Sequence, residues 1–220
     1  MWFAIALPIA LVIAYFVGSI PTGLLLGNAF RGIDLREHGS GNLGATNAFR
    51  ILGTKLGVSV LGLDMLKGLA PVAVLPAILG ISPASPGTQL LIGAAAIAGH
   101  VFSIFVNFKG GKGVATALGV YLAIAPYPTL ATLAVGIAII LISGYVSLAS
   151  LFGAIFLPLV LYWNAYPFSV VVVTEIIAIM VIVRHKGNAE RILNGTENKI
   201  WKKLDAMADD EPIPFAGDNQ

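Results

Sequence analysis

Between residues 36 and 50 the chain collects groups that hold anions: Arg36, Ser40, Asn42, Thr46, Asn47 and Arg50 stand among Gly39, Gly41 and Gly44. Hydroxyl, amide and guanidinium donors bind phosphate oxygens, and glycines let the backbone approach such a ligand closely. If the chain turns helical after Gly44, i+3 and i+4 spacing sets Thr46, Asn47 and Arg50 on one face. Arg50 would then present its planar fork while Ser40, Asn42 and nearby backbone N–H groups complete a cradle. A capped juxtamembrane loop whose arginine meets lipid headgroups is the competing structural reading.

A second cluster runs from Gly99 and His100 to Lys109, Gly110, Gly111, Lys112, Gly113 and Thr116. Two lysines and three glycines stand where one apolar run ends and the next helix begins, and a helix N-terminus carries unpaired N–H groups. A phosphate-binding nucleotide loop is excluded, because Val106 and Gly113 stand where that motif needs glycine and a hydroxyl residue. A kinase also lacks its carboxylate pair for magnesium. The structural alternative is a tight turn with snorkelling lysines. A third cluster holds Arg184, His185, Asn188, Arg191 and Glu197. On a helix leaving the membrane Arg184, Asn188 and Arg191 align, with His185 one turn from Asn188. Such a histidine serves as general base or orients a phosphate; the alternative is a surface histidine.

The elements that must position these clusters are membrane helices. The 220 residues are 57% hydrophobic and 11% charged, with mean hydropathy +0.89, where a soluble domain carries about a quarter charged residues. There is no cysteine, so thiolate metal sites and cysteine nucleophiles are excluded, and the net charge of +2 does not indicate nucleic-acid binding. Apolar runs lie at 2–26, 56–79, 89–108, 146–163 and 168–183, each measured against the ~20 residues that cross a bilayer. The first has no basic residues before it and reads as a retained span. Residues 114–142 are too long for one span and short for two, but Pro126 and Pro128 divide them into a hairpin of two short helices.

With that hairpin the chain is an all-α membrane protein of seven transmembrane helices. Every lysine and arginine except intramembrane Lys67 then falls on the side of Arg36, which the positive-inside rule makes cytoplasmic. The N-terminus is outside and the C-terminus inside. Residues 1–203 form one transmembrane domain, and 204–220, acidic and proline-containing, read as a disordered cytoplasmic tail. Within the spans, Asp64 and Lys67 at i, i+3 are expected to pair, and Glu175 is a further intramembrane charge of unknown partner. A small anion or phosphate-ester transporter would use the same basic cleft. It needs ionisable groups on both sides of the midplane, however, and the polar clusters gather on one.

In order along the chain stand Gly18-Ser19-Ile20-Pro21-Thr22-Gly23, the segment from Gly39 to Asn47 with Arg50, Asp64-Met65-Leu66-Lys67-Gly68, the cluster from Gly99 to Thr116, and Arg184-His185 with Asn188, Arg191 and Glu197. In these motifs the chain resembles the PlsY family, the integral-membrane acyl-phosphate:glycerol-3-phosphate acyltransferases of bacterial phospholipid synthesis. One departure is Ser103, where the resemblance leads one to expect proline. The resemblance implies seven helices in the bacterial inner membrane with the site facing the cytoplasm, and acyl transfer from acyl phosphate to the 1-hydroxyl of glycerol 3-phosphate. No cofactor or metal is expected, and a monomer in membrane lipid is. Ser40, Arg50, Lys109, His185 and Asn188 are the expected catalytic set. Asn42, Thr46, Asn47, Gly110, Gly111, Lys112, Gly113, Thr116 and Glu197 are the expected substrate ligands. Ser40, Arg50 and one of the two lysines would bind phosphate groups, and Asn47, His185 and Asn188 would position glycerol 3-phosphate. The hydroxyl proton would go to His185 or to a substrate phosphate oxygen.

Overall fold

The computed structural model describes residues 2–81 and 84–200, so the 204–220 tail lies outside the described residues. Those residues form ten α-helices and one 3-10 turn. In order they are α1 Trp2–Ser19, α2 Thr22–Arg31, α3 Ala45–Ile51, α4 Thr54–Ile78, α5 Pro86–Val101, the 3-10 turn Ile104–Val106, α6 Val114–Ile124, α7 Pro126–Ser143, α8 Val146–Trp163, α9 Phe168–Arg184 and α10 Lys186–Leu193. The two-helix reading of 114–142 is met: Pro126 opens α7, and the chain breaks at Ala125.

The first apolar run departs from expectation. It is interrupted at Ile20 and Pro21, and α2 continues to Arg31. The 89–108 run is helical only to Val101 and finishes in the 3-10 turn. By length and apolarity five helical stretches can cross a membrane, or six if α9 and α10, bent by 57° relative to each other, count as one. That is fewer than seven because α6 has 11 residues, a rise of about 16 Å against a hydrocarbon core of ~30 Å.

Packing rests on small residues. Helix α1 lies on α5 and α4 on α6, the two most extensive pairings. A Cβ at Gly18 would overlap the backbone of Ala96, and one at Gly119 would overlap the carbonyl of Met65. Lipid is as apolar as the side chains, so such close backbone approach supplies the contacts that hold membrane helices together. A second apolar cluster, Leu35, Leu43, Ala48, Leu52, Val60 and Val106, underlies the 36–50 segment and fixes it to α3 and α4.

The α1–α2 break frees carbonyls that a continuous helix would pair. Lys67 Nζ donates to the Ile20 carbonyl at 2.8 Å, and Ser103 Oγ to that of Ser19 at 2.5 Å. Serine at 103 thus contributes a bond that proline could not. Lys67 is also 2.8 Å from Asp64, with side chains 7% and 1% exposed, so the i, i+3 pair forms as expected. Thr22 Oγ1 donates to the same Asp64 oxygen at 2.5 Å. Glu175 is exposed on α9.

Replacing Gly119 by alanine is expected to lower the thermal midpoint in detergent by the equivalent of about 1–3 kcal/mol, because Met65 backbone must move. Gly62→Ala, where a Cβ meets open space, leaves the midpoint unchanged or slightly raised.

Candidate active site

Helix α3 starts after Gly44, as the spacing requires, but Asn47 faces inward at 2% exposure. Its Oδ1 accepts the Ser40 N–H at 3.0 Å, and its Nδ2 donates to the carbonyls of His38 at 3.0 Å and Leu35 at 3.3 Å. Asn47 is therefore a brace for the loop and not an open ligand, because a buried amide must take its partners from nearby backbone. Asn42 Oδ1 accepts the Gly44 N–H at 2.9 Å. Ser40 is exposed, Thr46 and Arg50 are partly exposed, and Arg50 Nη2 donates to the Asn198 carbonyl at 3.2 Å.

The glycine turn is clamped from two sides. Gly110 N–H donates to the Val101 carbonyl and Gly111 N–H to that of His100, both at 3.1 Å. Arg184 Nη2 donates to the carbonyls of Gly110 at 3.0 Å and Gly111 at 3.2 Å. Both amides are occupied by backbone carbonyls, and a Cβ at either glycine would overlap His100. Gly113, at φ +85°, caps α6. The open N–H groups of the region are those of the first turn of α6. Thr116 is fully buried in the α4–α6 seam, where Gly68 abuts its carbonyl and its hydroxyl has no hydrogen-bond partner.

Lys112 donates to Asn188 Oδ1. Asn188 Nδ2 donates to Glu197 Oε1 at 2.7 Å, Ser147 Oγ to the same oxygen at 2.9 Å, and Arg191 Nε to Oε2 at 2.7 Å. Glu197 is thus a partner to cations and amides, and its negative charge makes it an orienter of ligands and not a ligand for phosphate. Burial pushes its pKa upward, but hydrogen bonds from Asn188, Arg191 and Ser147 outweigh that and hold it below the ordinary carboxylate value. Burial lowers Lys112 to about 8; Glu197 opposes the shift, and Arg191, Arg50 and Arg184 add to it. Lys109, by contrast, is exposed and joins no ion pair among the described residues.

His185 is buried at the bend between α9 and α10. Its Nδ1–H donates to the Val181 carbonyl at 2.8 Å, which leaves the Nε2 lone pair as proton acceptor. The segment after α10 returns to the α7–α8 turn, where Ile200 N–H donates to the Gly144 carbonyl at 2.8 Å and Lys199 lies 5.5 Å over the Tyr145 ring. Lys112, Asn188 and Glu197 are in this way brought together with Arg191, and Arg50 reaches the same segment. Ser147 was missed from the sequence. Its one cue was a hydroxyl in the first turn of an apolar helix, and its partner lies 50 residues away. Among the described residues no group of three or more histidines and carboxylates is placed to hold a metal ion.

Residues 8–195 match the model of a family described as glycerol-3-phosphate acyltransferase. The chain belongs to the glycerol-3-phosphate acyltransferase family. It is 48% identical over 186 residues to a glycerol-3-phosphate acyltransferase of Trichlorobacter lovleyi, covering 84% of this chain and 93% of the relative. It is 45% identical over 189 residues to that of Fusobacterium nucleatum, covering 86% and 95%. A crystal structure of PlsY (YgiH), an integral membrane glycerol 3-phosphate acyltransferase, in its glycerol 3-phosphate form, superposes with TM-score 0.83 at 39% identity, covering 91% of this chain and 98% of that one. The lysophosphatidic acid form superposes with TM-score 0.78, covering 88% and 94%.

Lys112 loses its charge as pH rises through about 8. Sulfate, which stays fully ionised, should therefore bind with affinity that falls roughly tenfold per pH unit above that point, measured by calorimetry. Lys112→Arg keeps its charge and should remove the slope; a slope that persists would place the titrating group elsewhere.

Proposed function

We infer that this chain transfers a fatty acyl group to the 1-hydroxyl of glycerol 3-phosphate, giving lysophosphatidic acid, with acyl phosphate as donor and inorganic phosphate as leaving group. The observation that carries this reading is the meeting of Lys112, Asn188, Arg191, Glu197 and Ser147 in one bonded cluster, with Arg50 and Arg184 tied to its two flanks. Two phosphate groups need this excess of cationic donors held in place before they arrive.

An acyl phosphate is already activated, so the protein must bring the acceptor oxygen to the carbonyl carbon and stabilise departing charge. The oxygen–carbon bond forms, the carbonyl carbon–phosphate oxygen bond breaks, and phosphate leaves with the electron pair. In this reading Arg50, Ser40 and the first turn of α6 with Lys112 hold phosphate oxygens. Asn188, aligned by Glu197, and His185 position glycerol 3-phosphate. Lys109, Asn42 and Thr46 border the site, with Lys109 free to engage the substrate entering from solvent. Asn47, Gly110 and Gly111 keep the framework in place. The hydroxyl proton passes to His185 Nε2 or to a phosphate oxygen, and the variants below decide between them.

The acyl chain would lie in an apolar groove of about 380 Å³ walled by Val17, Leu25, Leu26, Leu63, Leu66 and Ala70, which also touches Thr22 and Lys67. Each buried CH₂ contributes roughly 0.8 kcal/mol there. The same proposal includes one domain over 1–203, acting as a monomer in the bacterial inner membrane. It has seven helices crossing or entering the bilayer, with α6 as the short one, the N-terminus outside, and the C-terminus and site cytoplasmic. Its support is the placement of lysine and arginine.

The deciding experiment is phosphate release by purified protein given palmitoyl phosphate. Release that requires glycerol 3-phosphate and yields lysophosphatidate is expected; release without acceptor means hydrolysis, and no release returns the anion transporter to consideration. Arg50→Lys keeps charge but loses the fork, so turnover should fall about a hundredfold. His185→Ala should lower kcat at every pH if Nε2 takes the proton, whereas a rise confined to the glycerol-3-phosphate KM assigns the proton to substrate. Leu66→Trp should reduce turnover of palmitoyl phosphate more than of octanoyl phosphate; equal losses would take the chain out of this groove.

A further inference from the structure

His100 stands at the end of α5, 6% exposed, outside the set of groups assigned above to substrate. Its backbone carbonyl accepts the Gly111 N–H, and the next carbonyl, of Val101, accepts that of Gly110. Its ring lies directly under the turn: a Cβ on Gly111 would overlap His100 Nε2, and one on Gly110 would overlap the His100 carbonyl. Arg184 fixes the carbonyls of the same two residues. The turn is therefore in contact with both an imidazole and a guanidinium, and Lys112 and the N-terminus of α6 follow directly from it.

The other edge of the ring faces the membrane interior, and its Nδ1 is buried without a hydrogen-bond partner. His100 Nδ1 faces Asp64 Oδ1 at 3.7 Å, and that oxygen is held by Lys67 and Thr22. Lys67 in turn reaches the Ile20 carbonyl at the α1–α2 break. Asp64, His100, Ser103, Gly110 and Gly111 line one small cavity with room for about one water molecule, so little slack lies beneath the turn.

We propose that His100 is a positioning residue: its imidazole, facing Asp64 across 3.7 Å, is the floor on which Gly110 and Gly111 rest, and it sets where Lys112 and the first turn of α6 meet a phosphate group. The proposal rests on the reading of Lys112 and α6 as an anion site. It assigns the two glycines to contact with this ring and not to contact with substrate.

The test uses the full chain purified in detergent as wild type, H100A, G111A and H100A/G111A, with thermal midpoints to verify folding. Two quantities are read: acyl-transfer kinetics, and the rate at which acetic anhydride modifies Lys112, followed by mass spectrometry with exposed Lys109 as internal reference. G111A is expected to cost about a hundredfold in kcat/KM, the scale of a 1 Å misplacement, and H100A roughly tenfold, carried mainly by KM. Modification of Lys112 should quicken in H100A. The double variant should be no worse than H100A alone, because removing the ring removes the overlap. Losses that multiply in the double variant, or unchanged Lys112 modification in H100A, overturn the proposal. Should G111A fail to fold, H100Q replaces it: a planar amide in the ring's place should retain most of the turnover that H100A loses, and equal losses in both count against a floor. If wild-type protein transfers no acyl group while Lys112 modification still responds to H100A, the reaction assignment fails and the positioning role stands.

Discussion

A buried ammonium group fastens this membrane protein at its weakest point. The first apolar run is broken at Ile20 and Pro21, and the carbonyls of Ser19 and Ile20 are left without helical partners. Lys67 supplies a donor to one of them and takes its counter-charge from Asp64 on its own helix. Either ion alone would be costly in lipid, and removing one partner of such a pair commonly costs several kcal/mol. Together they join α1, α2 and α4, and Asp64 faces His100, 3.7 Å away, at the edge of the polar cluster. The polar interior is thus a foundation for the site, set one layer deeper in the bilayer.

The site has a corresponding division of labour. In the proposed reading the groups turned toward an incoming anion are few: the Lys112 ammonium, the Arg50 fork, the Ser40 hydroxyl and the open turn of α6, with exposed Lys109 at the border. Around them stand residues whose polarity is directed inward, namely Asn47 on its own loop, Glu197 on three donors and Arg184 on two carbonyls. A glycine-rich polar segment therefore has two different physical origins here. In one, as the sequence suggests for 39–44, the backbone is open to a ligand, and in the other it approaches its own neighbours, as Gly110 and Gly111 do.

Local and periodic features were legible in the sequence. Prolines announced the division between α6 and α7, Gly44 and Gly113 announced helix starts, and the i, i+3 spacing of Asp64 and Lys67 announced their pairing. Each depends on neighbours within a turn or two of helix. What was not legible depends on contacts across the fold. Asn47 shares a face with Arg50 on α3, yet its bonds to the backbone of Leu35, His38 and Ser40 turn it inward. Ser147 and Glu197 meet only because the last segment folds back, and Thr116 closes against Gly68 on another helix. The shortness of one helix was not legible for a related reason: composition reads apolarity, but α6 has 11 residues and lies in its seam with α4.

The return of residues 194–200 across the α7–α8 turn bears on the order in which the protein is made. Glu197 is the carboxylate that joins Asn188, Arg191 and Ser147, and Asn198 supplies the carbonyl that receives Arg50. All of these partners leave the ribosome before it does. Until residue 197 emerges, the nascent chain carries a cationic cleft with no acid to order it, while its helices are already entering the membrane. The polar site is consequently assembled last, around a helical frame that is by then in place.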